Sequence, residues 1–380
     1  MMIYFDNSAT TKAHDEVLQT FVEVNKNYYA NPASIHAFGV EVNELLDAAR
    51  SQIASIFNTK PEYVLFTSGG TESNNFAIFG VAKANQHIGK HIITTEIEHA
   101  SVLEAYKSLE KEGYEVDYLS VNKNGVISLD ELREKLRKDT ILVTMMHVNN
   151  EMGAIQPIEE AAKIIHEHSR AIFHVDAVQS FGKLNIQFNG EAGPDIISIS
   201  GHKIHGLKGT GIIAFQRKLN IVPYIVGGGQ EFGLRSGTVA VPQAVALAKA
   251  CRIAFENLQE NHGKFTKWRD DLIDYFKTFG NHIYILSSKE GAPHILSFSI
   301  RDLKGEVIIN ALQKRGVIVS TSSACSSKQK KTSHVVEALK VDPHFKEGVI
   351  RISFGAKNTE EEIEQFKAIF KDVMKELKGV

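Results

Sequence analysis

Lys203 stands in the run Ser200-Gly201-His202-Lys203-Ile204-His205-Gly206, just past an apolar, β-branched segment. A lysine enclosed by apolar sequence and glycines is poorly solvated, and a desolvated amine is a nucleophile. Asp176 closes another apolar segment, where a carboxylate can hold a protonated ring nitrogen. Ser68-Gly69-Gly70-Thr71-Glu72-Ser73-Asn74 leads from a strand pattern into a helix pattern. Its glycines let backbone approach an anion, the first helical N–H groups bind it, and Thr71 adds a hydroxyl. No Gly-Lys-Ser/Thr follows at the spacing of a nucleotide-triphosphate loop. Cys325 lies in the small, polar run 320–328, with Lys328, Lys330 and Lys331 after it. A thiol near cations gains thiolate character, which attack on another sulfur requires.

Each feature has a plain structural alternative. Lys203 could be a surface loop lysine, Asp176 a helix cap, the glycine run a turn capped by Thr71, and Cys325 an inert exposed thiol. Their joint occurrence is more specific. Pyridoxal phosphate needs a lysine amine, an acid for its pyridinium nitrogen and a phosphate cradle, and all three are present in order. His99 could stack on a ring or move protons, or cap a helix. His202 and His205 invite a zinc reading, but no third ligand lies at suitable spacing. Arg351 and Arg235 could each fork a carboxylate, or sit in ordinary ion pairs. Cys251, inside an apolar helix pattern, reads as core.

The elements that must position these residues form an α/β alternation. Apolar runs at 63–67, 91–95, 141–148, 171–175, 195–200 and 211–215 read as buried strands. Amphipathic stretches at 101–113, 130–138 and 158–169 lie between them. This predicts a mainly parallel sheet, with ligands outside the carboxyl ends of its strands. Gly70, His99, Asn150, Asp176 and Lys203 all follow such ends, so they are expected on one rim. A long helical pattern from Pro242 to about Phe279 breaks near His262-Gly263. A smaller α+β set follows, with strands at 294–300, 317–320 and 349–354, a helix at 305–315 and a terminal helix at 359–377 capped by Thr359.

Composition sets the outer limits. The 380 residues are 43% hydrophobic and 23% charged, with formal net charge -2. That supports a large core and gives no global basic field for nucleic acid. Two cysteines do not make a disulfide framework and suit a reducing compartment. No basic flank with an apolar core opens the chain and no run reaches the roughly 18 residues of a span, so a cytoplasmic protein off the membrane is expected.

With these residues in view, the chain resembles a NifS-like cysteine desulfurase of the class-V aminotransferase family. The likeness runs from Tyr4-Phe5-Asp6-Asn7-Ser8-Ala9-Thr10-Thr11 to Arg351-Ile352-Ser353-Phe354-Gly355. Its landmarks include Asn31-Pro32-Ala33-Ser34-Ile35-His36, Gly69-Gly70-Thr71-Glu72-Ser73-Asn74-Asn75, Val148-Asn149-Asn150-Glu151, His174-Val175-Asp176-Ala177-Val178-Gln179-Ser180, Arg235-Ser236-Gly237-Thr238 and Ser323-Ala324-Cys325. The resemblance implies a fold-type-I pyridoxal-phosphate transferase. Its large domain would span 13–253, and its small domain 1–12 and 254–380, carrying the cysteine loop. Lys203 would hold the cofactor covalently, Asp176 would meet its ring nitrogen, and Gln179 and Asn150 would reach the ring oxygen. His99 would stack and assist proton transfer. Gly70, Thr71, Ser200 and His202 would hold the phosphate, and Thr238 that of the other subunit of a homodimer. Arg351, with Asn31 near it, would bind the substrate carboxylate. Cys325 would take sulfur from L-cysteine as a persulfide, releasing L-alanine, and pass it to an iron–sulfur scaffold or a tRNA-thiolation enzyme. No resident metal is implied, beyond a transient iron–sulfur contact at Cys325. A selenocysteine lyase, an aminotransferase and a non-catalytic sulfur-relay protein are the competing classes. The tail Ser326-Ser327-Lys328-Gln329-Lys330-Lys331 departs from the family's usual continuation.

Overall fold

A computed structural model describes residues 2–321 and 333–380. Strand β1 (Ile3–Tyr4) precedes helices α1 (Asp15–Asn27) and α2 (Ala37–Phe57). The alternating region then runs β2 (Val64–Thr67), α3 (Gly70–Asn85), β3 (His91–Thr95), α4 (Ala100–Lys111), β4 (Glu115–Leu119), α5 (Leu129–Lys135), β5 (Thr140–Met146), α6 (Ile158–His168), β6 (Ile172–Asp176), β7 (Ile196–Ser200) and β8 (Gly211–Phe215). Among the described residues, seven strands form one sheet in the order β2-β8-β7-β6-β5-β3-β4. The β4, β3, β5, β6 and β7 pairings are parallel, and β8 is antiparallel to both β7 and β2.

Valine and isoleucine fill the central strands because both faces are covered. β5, β7 and β8 are buried at every position. One face packs Val143, Phe173, Ile197 and Ile212 against α2, α6 and α7 (Val241–Glu256). The other packs Leu65, Ile92, Leu142 and Ile213 against α3 and α4. The sequence reading missed β4, whose Glu-Val-Asp-Tyr-Leu lies half exposed on the sheet edge and carries no apolar run.

The predicted helix break near His262-Gly263 is corrected to Asn257, whose side chain donates to the Ile253 carbonyl at 2.8 Å. Helix α8 (Leu258–Lys277) runs straight through Gly263, because Leu258, Phe265, Trp268, Leu272 and Phe276 give it a continuous buried stripe. A second core follows, built on β9 (Ile283–Ile285), β10 (Ile295–Ile300), α9 (Gly305–Gln313), β11 (Val317–Ile318), β12 (Ser320–Thr321), α10 (His334–Ala338), β13 (Val349–Ser353) and α11 (Glu360–Lys378). Four of these strands pair in the order β12-β13-β10-β9. The expected single strand at 317–320 is two: β11 pairs with β1, and β12 with β13. Phe276, Phe298, Phe366 and Phe370 close this core in tilted and edge-to-face contacts, together with Phe5 from the other end of the chain. Thr359 caps α11 through a reciprocal bond pair with Glu362.

Candidate active site

The carboxyl ends of β2, β3, β5, β6 and β7 open into a cleft of about 500 Å3. Its walls bring together Gly70, Thr71, His99, Asn150, Asp176, Gln179, Ser200, His202, Lys203 and Arg351. Sequence spacing therefore assembles one rim, as strand-end topology requires.

Asp176 ends β6, with Oδ1 accepting from the Val178 N–H at 2.9 Å and Oδ2 from Asn74 Nδ2 at 2.7 Å. Asn74 also donates to Ser101 Oγ at 2.9 Å, and Ser101 Oγ lies 2.8 Å from His99 Nδ1. The Ser101 backbone N–H donates to the same nitrogen, so Nδ1 is an acceptor and neutral His99 carries its proton on Nε2. Burial lowers the His99 pKa; Asp176 opposes the shift, while Lys203 and His334 add to it. Neither Asn74 nor Ser101 was singled out from sequence. Asn74 sits one helical turn past Gly70, which is the signal that could have found it.

The phosphate cradle is a helix start. Gly69 has φ 153°, a conformation open to glycine, and Gly70 begins α3. A Cβ on Gly70 would lie 2.8 Å from Val178 Cγ2, so backbone can press close here. His202 Nδ1 meets Thr10 Oγ1 at 3.1 Å, and burial, then Lys203, lower its pKa to about 4. Lys203 follows β7 and donates to the Ser8 and Ala9 carbonyls at 2.5 and 2.8 Å. Gln179 Nε2 donates to Ser8 O at 2.9 Å. The N-terminal residues, predicted only as landmarks, thus hold the lysine.

Arg351 on β13 donates to Asp6 Oδ1 and to the Asn150 carbonyl, each at 2.8 Å, and its Nε has no partner among the described residues. Arg235 is not in the cleft wall: it grips Glu72 at 2.8 and 3.3 Å, so its ion-pair reading holds. Asn31 and Thr238 are exposed and outside the cleft. Cys325, and the lysines at 328, 330 and 331, lie outside the described residues. Cys251 is fully buried, and burial pushes its thiol pKa up. Among the described residues, no cluster of three metal-ligating side chains occurs, and no helix is long and apolar enough to cross a membrane.

Two buried acids also border the cleft. Glu151 accepts from Ser333 Oγ at 2.6 Å, and burial raises its pKa to about 7. Burial pushes Glu98 up to about 8; its Oε1 accepts from Thr95 Oγ1 and Met146 N, and its Oε2 has no partner among the described residues. Below the ordinary value of 4.5, folded and unfolded Glu98 are both protonated. As pH climbs towards about 8 the unfolded carboxyl ionises and the buried one does not, so this group costs stability across that window. Glu98→Gln is expected to remove the slope. Its urea midpoint should gain on wild type as pH rises, and a pH-independent difference would refute the neutral buried acid.

The donor set fits pyridoxal phosphate: an anion cradle at Gly70 and Thr71, an acid at Asp176, an aromatic face at His99 and an amine at Lys203. The aminotransferase class-V family matches residues 3–366. A cysteine desulfurase IscS of Mannheimia succiniciproducens is 41% identical, covering 100% of this chain and 94% of that one. A NifS/IcsS protein homolog of Lactobacillus delbrueckii is 39% identical, covering 98% and 97%. A solved NifS-like protein superposes with TM-score 0.92 at 38% identity, over 99% of this chain and 100% of the other. Site chemistry, length and fold agree: the chain belongs to the aminotransferase class-V family of pyridoxal-phosphate-dependent enzymes.

Proposed function

We propose that this protein is a cysteine desulfurase that converts L-cysteine to L-alanine and collects the sulfur on Cys325. The observation that carries the reading is the single cleft holding Lys203, Asp176, His99 and Arg351; the names of its full-length relatives support it. Bound pyridoxal phosphate supplies an electron sink for the substrate's α-carbon. Lys203 is its covalent anchor. Asp176, fixed by Asn74 and the Val178 N–H, places its carboxyl group in the cleft wall. His99 offers a face for the ring and a proton on Nε2. Gly70, Thr71, Ser200 and His202 take the phosphate, and Gln179 and Asn150 the ring oxygen. Arg351 takes the substrate carboxylate, drawing on a fork now shared with Asp6 and Asn150. The step balances: the substrate Cβ–S bond breaks, an S–S bond forms to Cys325, and the β-carbon gains a proton to become alanine's methyl, so the carbon is reduced as the sulfur is oxidised and no outside oxidant is needed.

The working form is a homodimer in which Thr238 serves the other subunit's phosphate. The large domain is residues 13–253, and the small domain 1–12 with 254–380. The persulfide goes to a protein acceptor, in iron–sulfur assembly or tRNA thiolation, in the cytoplasm.

The test is to supply L-cysteine and measure sulfide and alanine. Wild type should give both in equal amounts under reductant. Cys325→Ala should keep the cofactor's visible band and release no sulfide. Undiminished sulfide from Cys325→Ala would take the thiol out of the reaction and point to a lyase.

A further inference from the structure

A second cavity, of about 240 Å3, shares only Lys203 with the cleft described above. That volume is many times what a single water needs. Lys183 and His205 line it and are buried. One face of α8 forms its exposed side, where Asn257 and Asn261, then Glu260 and Lys264, recur at four-residue spacing. Ile204, Phe265 and Phe354 make much of the remaining wall apolar. A charge inside such a wall is weakly screened, so its partner matters more than it would in water.

The wall is rich in donors and its acceptors are mostly taken. Among the described residues, the Lys183 amine makes one long bond, 3.5 Å to Gln179 Oε1. The His14 ring and the Asn261 amide have no hydrogen bond among the described residues. Against these, the Glu260 carboxylate is ion-paired with Lys264. Thr11 Oγ1 accepts from the His205 N–H and donates to the His202 carbonyl, each at 2.8 Å. His205 is held at Nδ1 by the Lys12 carbonyl and at Nε2 by the Ala356 N–H. The charges around Lys183 do not help it. Burial, then the charge of Lys203, bring it down to about 7. His202, His205 and His294 feel its charge, and burial keeps all three neutral. His14, also lowered by burial, stacks on His205 at 4.7 Å, and Lys357, His262 and Arg269 add further basic groups around these histidines. A buried ammonium without a counter-charge is costly, and no carboxylate of this wall supplies one.

We propose that this second cavity is a binding site for one small monovalent anion, a simple carboxylate or a halide, with Lys183 as its counter-charge and His14 and Asn261 as further donors. One buried amine calls for one negative charge. An amino acid does not fit the same chemistry, because its ammonium would meet Lys183 while Glu260 is already taken by Lys264. The site is therefore distinct in ligand class from the cleft that takes cysteine. Occupation is coupled to a proton: the anion binds Lys183 in its charged form, so where Lys183 has given up its proton the anion must bring one with it. The inference does not depend on which residue anchors the cofactor.

The test uses the full-length holoenzyme, whose bound pyridoxal phosphate keeps other anions from the cradle at Gly70 and Thr71. Sodium acetate is titrated in, its methyl resonance is followed by saturation-transfer NMR, and ionic strength is held constant with sodium gluconate. Wild type should bind acetate, sodium chloride should displace it, and alanine should not. Above pH 6.5 the histidines named here are neutral, so the pH dependence belongs to the lysine. Affinity should fall above neutrality, approaching about tenfold per pH unit as Lys183 loses its proton. Lys183→Met should weaken binding at least tenfold, and Lys183→Arg should keep it and flatten the pH dependence, because a guanidinium stays charged. Asn261→Leu should weaken binding and keep the slope, which tests the site even where Lys183→Met does not fold. Absorbance of the cofactor at each pH reads any titration at Lys203 separately. No acetate signal in wild type, or binding unchanged in both Lys183→Met and Asn261→Leu, would overturn the proposal and leave the cavity to water. Absence of the cofactor's visible band from wild type would instead sink the reading of the main cleft.

Discussion

Lys203→Ala is expected to fold, to lose the lysine-linked visible band, and to form no measurable alanine from cysteine. Three features make this the largest activity effect. Among the described residues, Lys203 is the amine that lines the cleft. Its Nζ is held by two backbone carbonyls, at 2.5 and 2.8 Å, so its position does not depend on a chance rotamer. It also stands at the end of β7, whose five residues are all buried, so the sheet fixes its origin. Removing a placed acid–base group alone costs about 100- to 10,000-fold. Loss of the covalent anchor adds to that. The variant keeps the cradle at Gly70 and the acid at Asp176, so it should still take up cofactor non-covalently, with a free-aldehyde spectrum. Absorption after dialysis and chromatographic assay of alanine decide it. A retained lysine-type band would move the anchor elsewhere.

The largest stability effect should come from Glu231→Ala. Glu231 and Arg50 form a buried, two-pronged ion pair at 2.7 and 2.8 Å. Glu231 Oε2 also accepts from the Phe66 N–H at 2.8 Å, and Arg50 donates to the Val64 carbonyl. The guanidinium is flanked by the rings of Phe66 and Phe232, 4.9 and 5.0 Å from their centroids. The pair ties α2 to β2 and to the segment that carries Arg235 and Thr238. Glu231 and Phe232 have φ of 48° and 58°, so the chain holds two non-glycine residues in left-handed turns to keep this geometry. Truncating Glu231 leaves Arg50 charged, dry and short of its partner, a loss of about 3–5 kcal/mol. Denaturant unfolding should show it. The double variant Arg50→Met with Glu231→Met should recover much of the loss, since two apolar side chains leave no orphan charge. A single-variant loss within experimental error would mean that water reaches the pair.

How much of this was readable in advance depends on where each signal resides. Strands β3 and β8 match their sequence runs residue for residue, because isoleucine and threonine runs bounded by turns have few other solutions. The cleft was readable because strand ends, not distances, place Gly70, His99, Asp176 and Lys203. The small second core was harder. Residues 317–320 look like one strand, and only the partners, Ile3 for Val317 and Arg351 for Ser320, divide them between two sheets. The Asp176–Asn74–Ser101–His99 chain was hidden for the same reason: Asn74 and Asp176 are 102 positions apart, and no local pattern joins them. Arg235 looked as suited to a carboxylate ligand as Arg351, until Glu72 turned out to be its carboxylate.

The pairing of Ile3 with Val317 has a consequence for how the molecule is made. Strand β1 must wait for a partner that is synthesised more than three hundred residues later. At about 5–20 residues per second, that delay is on the order of 15–60 s. During it the large sheet can already have formed, while Ser8 and Ala9, which hold the Lys203 amine, are still tethered to an unpaired end. The lysine is thus set in its final place only after β11 has been made. Cofactor loading then follows β11, and a nascent chain arrested before that strand should fold its sheet yet stay colourless.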